Sequence, residues 1–211
     1  MKKIKIIDYF AGNIFSVTKA LEHMGCDVKL AVRAQDIEDA DYLVLPGVGA
    51  FGDGMKSLEK RGLVGAVKKF AGKGRPFLGI CLGMQLLFDS SEEFGSHQGL
   101  GVIPGAVKKL PTGLKLKIPN IGWHSLAVPE GRPSSFWDHS ILSGVPVESD
   151  FYFIHSFAVY PTQAEHWLAR TVYGDHWFCS AARKDNMIGC QFHPEKSGAD
   201  GLKILENFIQ L

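Results

Sequence analysis

Cys81 lies in a short segment whose residue types suit a nucleophile. The segment Gly79-Ile80-Cys81-Leu82-Gly83 follows the apolar run Pro76-Phe77-Leu78 and precedes the apolar run Met84-Gln85-Leu86-Leu87-Phe88. A cysteine between two glycines at a strand-to-helix turn is the thiol version of the nucleophile elbow, which presents a reactive side chain at the top of a sheet. The alternative is a small buried hydrophobe, the usual role of a free cysteine. The strand–turn–helix context favours the nucleophile.

A base and a carboxylate stand two residues apart far downstream, in His193-Pro194-Glu195. In an extended segment, residues i and i+2 point to the same side, and Pro194 favours extended backbone at His193. A carboxylate beside an imidazole orients the ring and favours its charged form, which a thiolate–imidazolium pair requires. Alone, this pair would suggest a strand-end histidine and a solvated glutamate. With Cys81 it completes the three parts of a thiol nucleophile system.

A glycine-rich turn, Pro46-Gly47-Val48-Gly49, follows the third apolar run of the chain. In an open parallel sheet, sites gather at the carboxyl ends of the strands. Backbone N–H groups of Val48 and Gly49, together with that of Leu82, are candidates for the oxyanion hole of a tetrahedral intermediate. The alternative is a plain turn. The segment is too short for a phosphate loop, and no G-x-G-x-x-G follows the first strand.

The elements that must position these residues alternate between strand and helix in the first half of the chain. This alternation indicates a parallel sheet with helices on both faces. The second half has short β-like runs between Gly, Pro and Ser, which predict an added antiparallel section. The predicted strands are Ile4–Ile7, Val28–Val32, Tyr42–Leu45, Phe77–Ile80, Trp123–Val128, Phe151–Val159, Leu168–Tyr173, Phe178–Ala182 and Ile188–His193. The predicted helices are Ile14–Met24 with Asn13 as its cap, Met55–Phe70 with a break near Gly62, and Ala199–Leu211.

Composition bounds the class of protein. The chain has 211 residues, 45% hydrophobic and 21% charged, with a formal net charge of +1, and we expect one domain over residues 1–211. The near-neutral charge argues against nucleic acid or an acidic membrane as a partner. The four cysteines are irregularly spaced, as free thiols of a reducing compartment would be. No apolar run resembles a signal peptide or a membrane span, so the expected location is the cytoplasm.

Three further side chains are of types that can bind a metal ion. His166, His176 and Cys179 lie near one another in the sequence. Their spacing matches no zinc template, so we interpret them as structural or surface residues. We expect neither a metal nor a cofactor.

Taken together, the motifs resemble the signatures of class I (triad-type) glutamine amidotransferases. The resemblance spans essentially the whole chain and implies a flavodoxin-like α/β fold. Within the class, further segments resemble the glutaminase subunit of imidazole glycerol phosphate synthase. The class motifs are Pro46–Phe51, Gly79–Phe88 and Gln191–Ser197. The subgroup motifs are Asp8-Tyr9 with Gly12-Asn13, Gly122-Trp123, and Tyr152–Ser156.

The resemblance implies a reaction and a partner. Cys81 attacks the side-chain amide of L-glutamine, His193 transfers the protons, and Glu195 orients His193. The products are glutamate and ammonia, and the ammonia passes to a separate (β/α)₈-barrel synthase subunit in a heterodimer. There it serves the ring-closing step of histidine biosynthesis, which yields imidazole glycerol phosphate and an aminoimidazole carboxamide ribotide. A backbone flip near Gly47 on partner ligand binding would supply a missing oxyanion-hole donor, so low resting activity is expected.

The same matching implies roles for further residues. The glutamine-binding residues would be Gly47, Gly49, Gln85 and Glu93, with main-chain contacts from His155 and Ser156. The residues at the docking face of the partner would be Asn13, Trp123, Tyr152 and Lys196. Each also has a plainer interpretation: Glu93 as part of a solvated helix end, and Trp123 and Tyr152 as core aromatic residues.

The chain departs from the usual subgroup pattern at a few positions. At position 120 the subgroup more often has His, where this chain has Asn120, and at position 124 it more often has Asn, where this chain has His124. Phe157 replaces a residue that frequently carries an aromatic hydroxyl. The segment Asp8-Tyr9-Phe10-Ala11 is a variant of the entry loop of the subgroup. The departures touch the docking face and leave the triad intact, so they put the identity of the partner in doubt more than the glutaminase chemistry. Two alternative functions stay open. One is a paralogous glutaminase that feeds ammonia to a sugar-amidinating enzyme of surface-polysaccharide biosynthesis. The other is a standalone cysteine hydrolase.

Overall fold

The computed structural model describes residues 2–10, 13–111 and 116–211. Its strands are β1 Lys3–Ile7, β2 Asp27–Ala31, β3 Tyr42–Gly47, β4 Phe77–Cys81, β5 Phe88–Ser91, β6 His97–Gln98, β7 Ile103–Lys109, β8 Asn120–Ser125, β9 Asp150–His155, β10 Phe157–Pro161, β11 Trp167–Tyr173, β12 His176–Lys184 and β13 Met187–Cys190. Its helices are α1 Ile14–His23, α2 Ala34–Glu38, α3 Phe51–Lys60, α4 Val64–Ala71, α5 Leu82–Leu86 and α6 Gly198–Gln210. Over these described ranges, no helix has the length and apolar character needed to cross a membrane.

Eleven of the described strands form one sheet. Its first half is parallel, in the order β2-β1-β3-β4-β13. From β13 the sheet continues through β12, β10, β7, β5 and β6, with β11 paired to β12; in this half only β5 and β7 pair in parallel. β8 and β9 form a separate antiparallel pair. The expected fold, a mostly parallel central sheet with helices and an added antiparallel section, is confirmed.

The central strands of the parallel half, β3 and β4, are buried on both faces. In β3, Val44 belongs to the hydrophobic cluster that includes residues of α1 and α6, whereas Leu43 and Leu45 belong to the cluster that includes residues of α3 and α4. This arrangement is typical of parallel sheets, whose strands are near-continuous apolar runs because helices cover both sides. The core thus fixes the strand ends that carry the motifs.

The carboxyl ends of neighbouring parallel strands lie side by side at one edge. β1, β3, β4 and β13 end at this edge, and the residues at or just after their ends are Tyr9, Gly47, Cys81 and Gln191. Sites in open α/β sheets lie at such an edge. The topology therefore brings together segments that are more than 100 residues apart in sequence.

The predicted run Phe151–Val159 is in fact two strands. β9 pairs with β8 in the small sheet, while β10 pairs with β7 and β12 in the large one. Ser156 lies between them, where the chain passes from one sheet to the other. Apolar alternation continues across this point, so the sequence alone does not reveal the change of partner.

The other predicted strand and helix boundaries differ less from those of the structure. The strand predicted at Trp123–Val128 lies instead at β8, because its pairing with β9 sets its ends. Pro46 and Gly47 belong to β3 and not to the turn after it. The predicted helix break near Gly62 is confirmed, since α3 ends before it and α4 starts after it. β5, β6 and β7 were not predicted.

Candidate active site

Cys81 is held in a strained turn. It is the last residue of β4 and immediately precedes α5, with φ 54° and ψ −110°, a backbone region that non-glycine residues rarely adopt. The turn requires its glycines: a Cβ on Gly83 would lie 1.7 Å from the carbonyl oxygen of Leu45, and a Cβ on Gly79 would lie 2.8 Å from the backbone of Gly83. The close packing of helix on strand therefore fixes the position of the thiol.

His193 and Glu195 form a buried hydrogen-bonded pair. Nδ1 of His193 lies 2.8 Å from Oε1 of Glu195, and their side chains are 1% and 0% exposed. Nδ1 carries the proton and donates it, because a carboxylate can only accept. When the ring is neutral, this bond fixes the tautomer with the proton on Nδ1 and leaves Nε2 as the nitrogen that can act as a general base.

Asn13 contacts the same carboxylate. It stands at the N-terminal boundary of α1 with φ 71°, and its side chain makes no capping hydrogen bond. The prediction that Asn13 caps this helix is therefore wrong. Its Nδ2 instead donates to Oε1 of Glu195, because the left-handed backbone at Asn13 turns the side chain away from the helix. Ala11 and Gly12, which belong to the motif around Asn13, lie outside the described residues.

The environment of His193 raises its pKa. Burial on its own lowers this pKa, but the neighbouring Cys81 thiol and the Glu195 carboxylate outweigh it and bring the value to about 9. The ring is therefore protonated at neutral pH. Among the described residues, Nε2 of His193 has no hydrogen-bond partner. This nitrogen remains available for proton transfer.

The sulfur of Cys81 has two weak polar contacts. It lies 3.9 Å from the carbonyl oxygen of Ile154 and 3.7 Å from Nε2 of Gln191, which can donate to it. Gln191 was not predicted as a site residue. The signal was present, since Gln191 precedes His193 by two residues and so projects to the same side of an extended segment.

A cavity of about 240 Å³ opens beside the thiol. Its lining includes the predicted nucleophile, the predicted oxyanion-hole residues and all but one of the predicted glutamine-binding residues. These are Val48, Gly49, Cys81, Leu82, Gln85, Glu93, His155 and Ser156, joined by Pro119, Ile154 and Phe157. Gly47 does not line it. The antiparallel section of the chain supplies Pro119 and the residues from Ile154 to Phe157, so both halves of the fold build the cavity.

Gln85 and Glu93 are fixed by hydrogen bonds. Nε2 of Gln85 donates to the carbonyl of Phe157 at 2.9 Å and to Oε1 of Gln191 at 3.1 Å, which leaves the amide oxygen of Gln85 free to accept. Oε2 of Glu93 accepts from the N–H of Phe51 at 2.6 Å. Glu93 follows β5 and is not in a helix, so the alternative interpretation of a solvated helix end is wrong.

His155 is buried and neutral. Burial lowers its pKa to about 4. Nδ1 therefore donates to the carbonyl of Phe157 at 2.9 Å, and Nε2 accepts from Nδ2 of Asn120 at 3.1 Å. Oδ1 of Asn120 in turn accepts from Nε2 of His124 at 2.7 Å. The two departures at Asn120 and His124 thus bond to each other and hold His155 in the cavity wall.

Phe157 contributes to the site through its backbone. Its carbonyl oxygen accepts hydrogen bonds from both Gln85 and His155. The hydroxyl that is frequent at this position in the subgroup is therefore not needed for either contact.

The residues predicted at the docking face lie around the His193–Glu195 pair. The ring of Tyr152 is 5.9 Å from that of Trp123 and 6.4 Å from that of His193, and the ammonium of Lys196 is 6.0 Å from the Tyr152 ring. Trp123 is 55% exposed. Further exposed apolar side chains lie nearby: Ile121 and Ile154, which oppose each other in the same β8–β9 pair, and Val48, which lines the cavity. An apolar patch of this kind at the mouth of a site is typical of an interaction surface.

A thiol on a strained strand–helix turn, beside a buried imidazole–carboxylate pair, combines the groups that nucleophilic thiol chemistry requires. The sequence profile of the family "Glutamine amidotransferase class-I" matches residues 5–211, and the chain belongs to this family. Solved structures agree on the fold. PurLQS from Thermotoga maritima superposes with a TM-score of 0.76 at 18% identity, covering 99% of this chain and 98% of that chain. The crystal structure of a further glutamine amidotransferase superposes with a TM-score of 0.74 at 19% sequence identity, covering 98% of this chain and 97% of that chain.

Within the family, the chain is similar over its length to a particular group. Imidazole glycerol phosphate synthase subunit HisH 1 of Legionella pneumophila (strain Lens) is 45% identical, with 100% of both chains covered. Subunit HisH of Aquifex aeolicus (strain VF5) is 48% identical over 96% of this chain and 94% of the relative. The resemblance to this subgroup is confirmed.

Proposed function

We propose that this chain is the glutaminase subunit of a two-component synthase and that residues 1–211 act as one domain. The observation that carries the proposal is that Cys81 lines the same cavity as Gln85, Glu93 and His155, while the buried His193–Glu195 pair, which does not line the cavity, neighbours Cys81 through His193. A free thiol, a base and a polar pocket are the components that hydrolysis of a carboxamide requires.

The reaction proceeds through a thioester. Sγ of Cys81, as the thiolate, attacks Cδ of the glutamine side chain, and the carbonyl oxygen becomes an oxyanion. The backbone N–H groups of Leu82 and of Val48 or Gly49 stabilise this charge. The C–N bond then breaks, and the leaving nitrogen takes the proton from Nε2 of His193. Ammonia departs, and a γ-glutamyl thioester remains on Cys81.

Water completes the cycle. Nε2 of the now neutral His193 takes a proton from water as the oxygen attacks the thioester carbon. The second tetrahedral intermediate collapses, the C–S bond breaks, and glutamate leaves. Glu195 keeps Nδ1 of His193 protonated throughout, and Asn13 holds that carboxylate in place. The pKa of His193, raised to about 9, supports an imidazolium that can protonate the leaving nitrogen at neutral pH.

Recognition of glutamine uses the polar groups of the cavity wall. The carboxylate of Glu93 suits the α-ammonium group of the substrate, because it is fixed by the N–H of Phe51 and has a second oxygen. Gln85 offers its amide oxygen, and Gly47 and Gly49 shape the backbone beside the reacting carbon. Main-chain groups at His155 and Ser156 complete the site.

The ammonia acceptor is a (β/α)₈-barrel subunit that binds around Asn13, Trp123, Tyr152 and Lys196. The names of the relatives, imidazole glycerol phosphate synthase subunits, support this assignment over a sugar-amidinating partner. Ammonia passes to the barrel, where it enters imidazole glycerol phosphate and the accompanying aminoimidazole carboxamide ribotide. The exposed apolar side chains around the cavity mouth support a docked partner that keeps ammonia from solvent.

The test uses the complex of this chain with the barrel subunit encoded by the same genome. Cys81→Ala is expected to abolish glutamine-dependent synthesis of imidazole glycerol phosphate, while synthesis from added ammonium continues. Cys26→Ala, at a partly buried thiol outside the cavity, is the matched control and keeps both activities. Glutamine turnover by Cys81→Ala would exclude Cys81 as the nucleophile. A wild-type complex that makes no imidazole glycerol phosphate from either nitrogen source would refute the assigned partner.

A further inference from the structure

Tyr9 carries a buried hydroxyl group whose role the conformation observed does not explain. Its side chain is fully buried, and among the described residues its hydroxyl has no hydrogen-bond partner. The residue is firmly placed: its backbone carbonyl accepts from the hydroxyl of Ser57, and the preceding carbonyl of Asp8 accepts from Arg61. Leaving a buried polar group unpaired is unfavourable, and such groups in native structures call for an explanation.

The hydroxyl of Tyr9 lies against Gly47. A Cβ built on Gly47 would be 2.1 Å from this oxygen, so the hydroxyl occupies the space that any other side chain at position 47 would fill. Burial and the nearby Cys81 raise the pKa of Tyr9 well above its usual range. The hydroxyl therefore keeps its proton and is available as a donor.

The backbone next to Gly47 is a thin wall between two cavities. Val48, Gly49 and Leu82 line the glutamine cavity, and the same three residues line a second cavity of about 290 Å³ that Tyr9 also lines. Over the described part of the chain, no hydrogen bond involves the backbone N–H or C=O groups of Val48 or Gly49. Gly47 is the last residue of β3 and pairs with Cys81, so the Gly47–Val48 peptide lies at the end of the ladder, where open space on both sides lets a peptide plane rotate at low cost.

We propose that Tyr9 is a positioning residue whose hydroxyl receives the carbonyl oxygen of Gly47 when the Gly47–Val48 peptide turns its N–H into the glutamine cavity. A peptide rotation moves N–H and C=O in opposite directions. When the N–H of Val48 joins that of Leu82 in the oxyanion hole, the carbonyl of Gly47 turns toward the second cavity, where it needs a donor. Tyr9 supplies that donor. This inference rests on the proposed glutaminase function.

The test is Tyr9→Phe in the complex with the barrel subunit, compared with wild type and with Tyr42→Phe. Tyr42 lies at the opposite end of β3, where its hydroxyl accepts from Lys2 at 2.9 Å, so it controls for the loss of a tyrosine hydroxyl. Tyr9→Phe is expected to lower kcat for glutamine roughly fivefold to tenfold, the effect of one neutral hydrogen bond, with KM nearly unchanged. Tyr42→Phe is expected to change neither.

The affinity for a γ-aldehyde analogue of glutamine is a second measurement, which a change in protein stability alone would not affect. The analogue forms a thiohemiacetal with Cys81, whose oxygen occupies the oxyanion hole. Tyr9→Phe is expected to weaken this inhibitor by the same factor as kcat, while glutamine binding to the Cys81→Ala form is unaffected. The midpoint of thermal unfolding of Tyr9→Phe is expected to match or exceed that of wild type, because the hydroxyl has no partner in the resting state.

Three results would overturn the proposal. They are a kcat within twofold of wild type, an unchanged aldehyde affinity, or an unfolding midpoint that falls further than in Tyr42→Phe. A wild-type complex that does not hydrolyse glutamine would instead refute the proposed function. The two failures are therefore distinguishable.

Discussion

Replacing Glu195 by glutamine is expected to lower the pKa of His193. The substitution keeps the shape of the side chain but removes the charge that faces Nδ1 at 2.8 Å. The pKa of His193 is about 9 instead of 6.5, and this difference corresponds to roughly 3 kcal/mol in favour of the imidazolium. A hydrogen bond to a charged group contributes about 1.5–3 kcal/mol. The pKa in the variant should therefore fall to between about 7 and 8.

The sign of the pH effect follows from this shift. A raised pKa means that His193 stays protonated up to about pH 9 and loses its charge above it. In Glu195→Gln that loss occurs at lower pH, so the fraction of protonated His193 at pH 8 falls, and glutamine turnover with it. The measurement is an NMR titration of the His193 ring from pH 6 to 10, together with the pH profile of Cys81 alkylation.

The matched control is Glu206→Gln. Glu206 is half-exposed on α6 and pairs with Lys203 at 3.5 Å, so the substitution removes the same charge away from the site. It is expected to leave the titration of His193 unchanged. A pKa of His193 in Glu195→Gln that stays at the wild-type value would refute the reasoning and would assign the raised pKa to Cys81 alone. Cys81→Ala measures that second contribution directly.

Two other predictions concern packing and hydrogen bonding. Gly83→Ala is expected to abolish glutamine turnover and to lower stability by more than about 3 kcal/mol, because the new Cβ would lie 1.7 Å from the Leu45 carbonyl oxygen; a urea-unfolding midpoint equal to wild type would contradict this. Asn120→His and His124→Asn are each expected to cost about 1–3 kcal/mol, since each breaks the bonded array with His155, and the double exchange is expected to recover most of the loss. Destabilisation of the double variant by the sum of the single effects would argue against a shared array, which a double-mutant cycle measures.

Parts of the site were predictable because local sequence determines them. The turn at Cys81 needs small residues on both sides. His193 and Glu195 are only two residues apart and pair as expected, but Pro194–Lys196 forms a short 3₁₀ helix and not the extended segment that the sequence predicted. These are properties of a few consecutive residues. The same holds for the break between α3 and α4 at Gly62.

Other parts were not predictable because partners distant in sequence decide them. Asn13 has the residue type and position of a helix cap, yet its side chain bonds to Glu195, 182 residues later. Ser156 lies within an apolar alternation that continues through two different sheets. β5 contains Asp89 and two serines, which have low strand propensity, and it forms because β7 lies beside it. In each case a tertiary contact outweighs the local preference.

The small sheet of β8 and β9 connects the outer surface to the cavity. One face carries exposed Ile121 and Trp123, and the other carries Asn120 and His155. A partner bound to the outer face that changes the affinity for glutamine must have its own affinity changed by glutamine, by the same factor. The glutamine concentration would then determine the fraction of the subunit that is bound to its partner. The amount of complex would therefore report the supply of this amino acid.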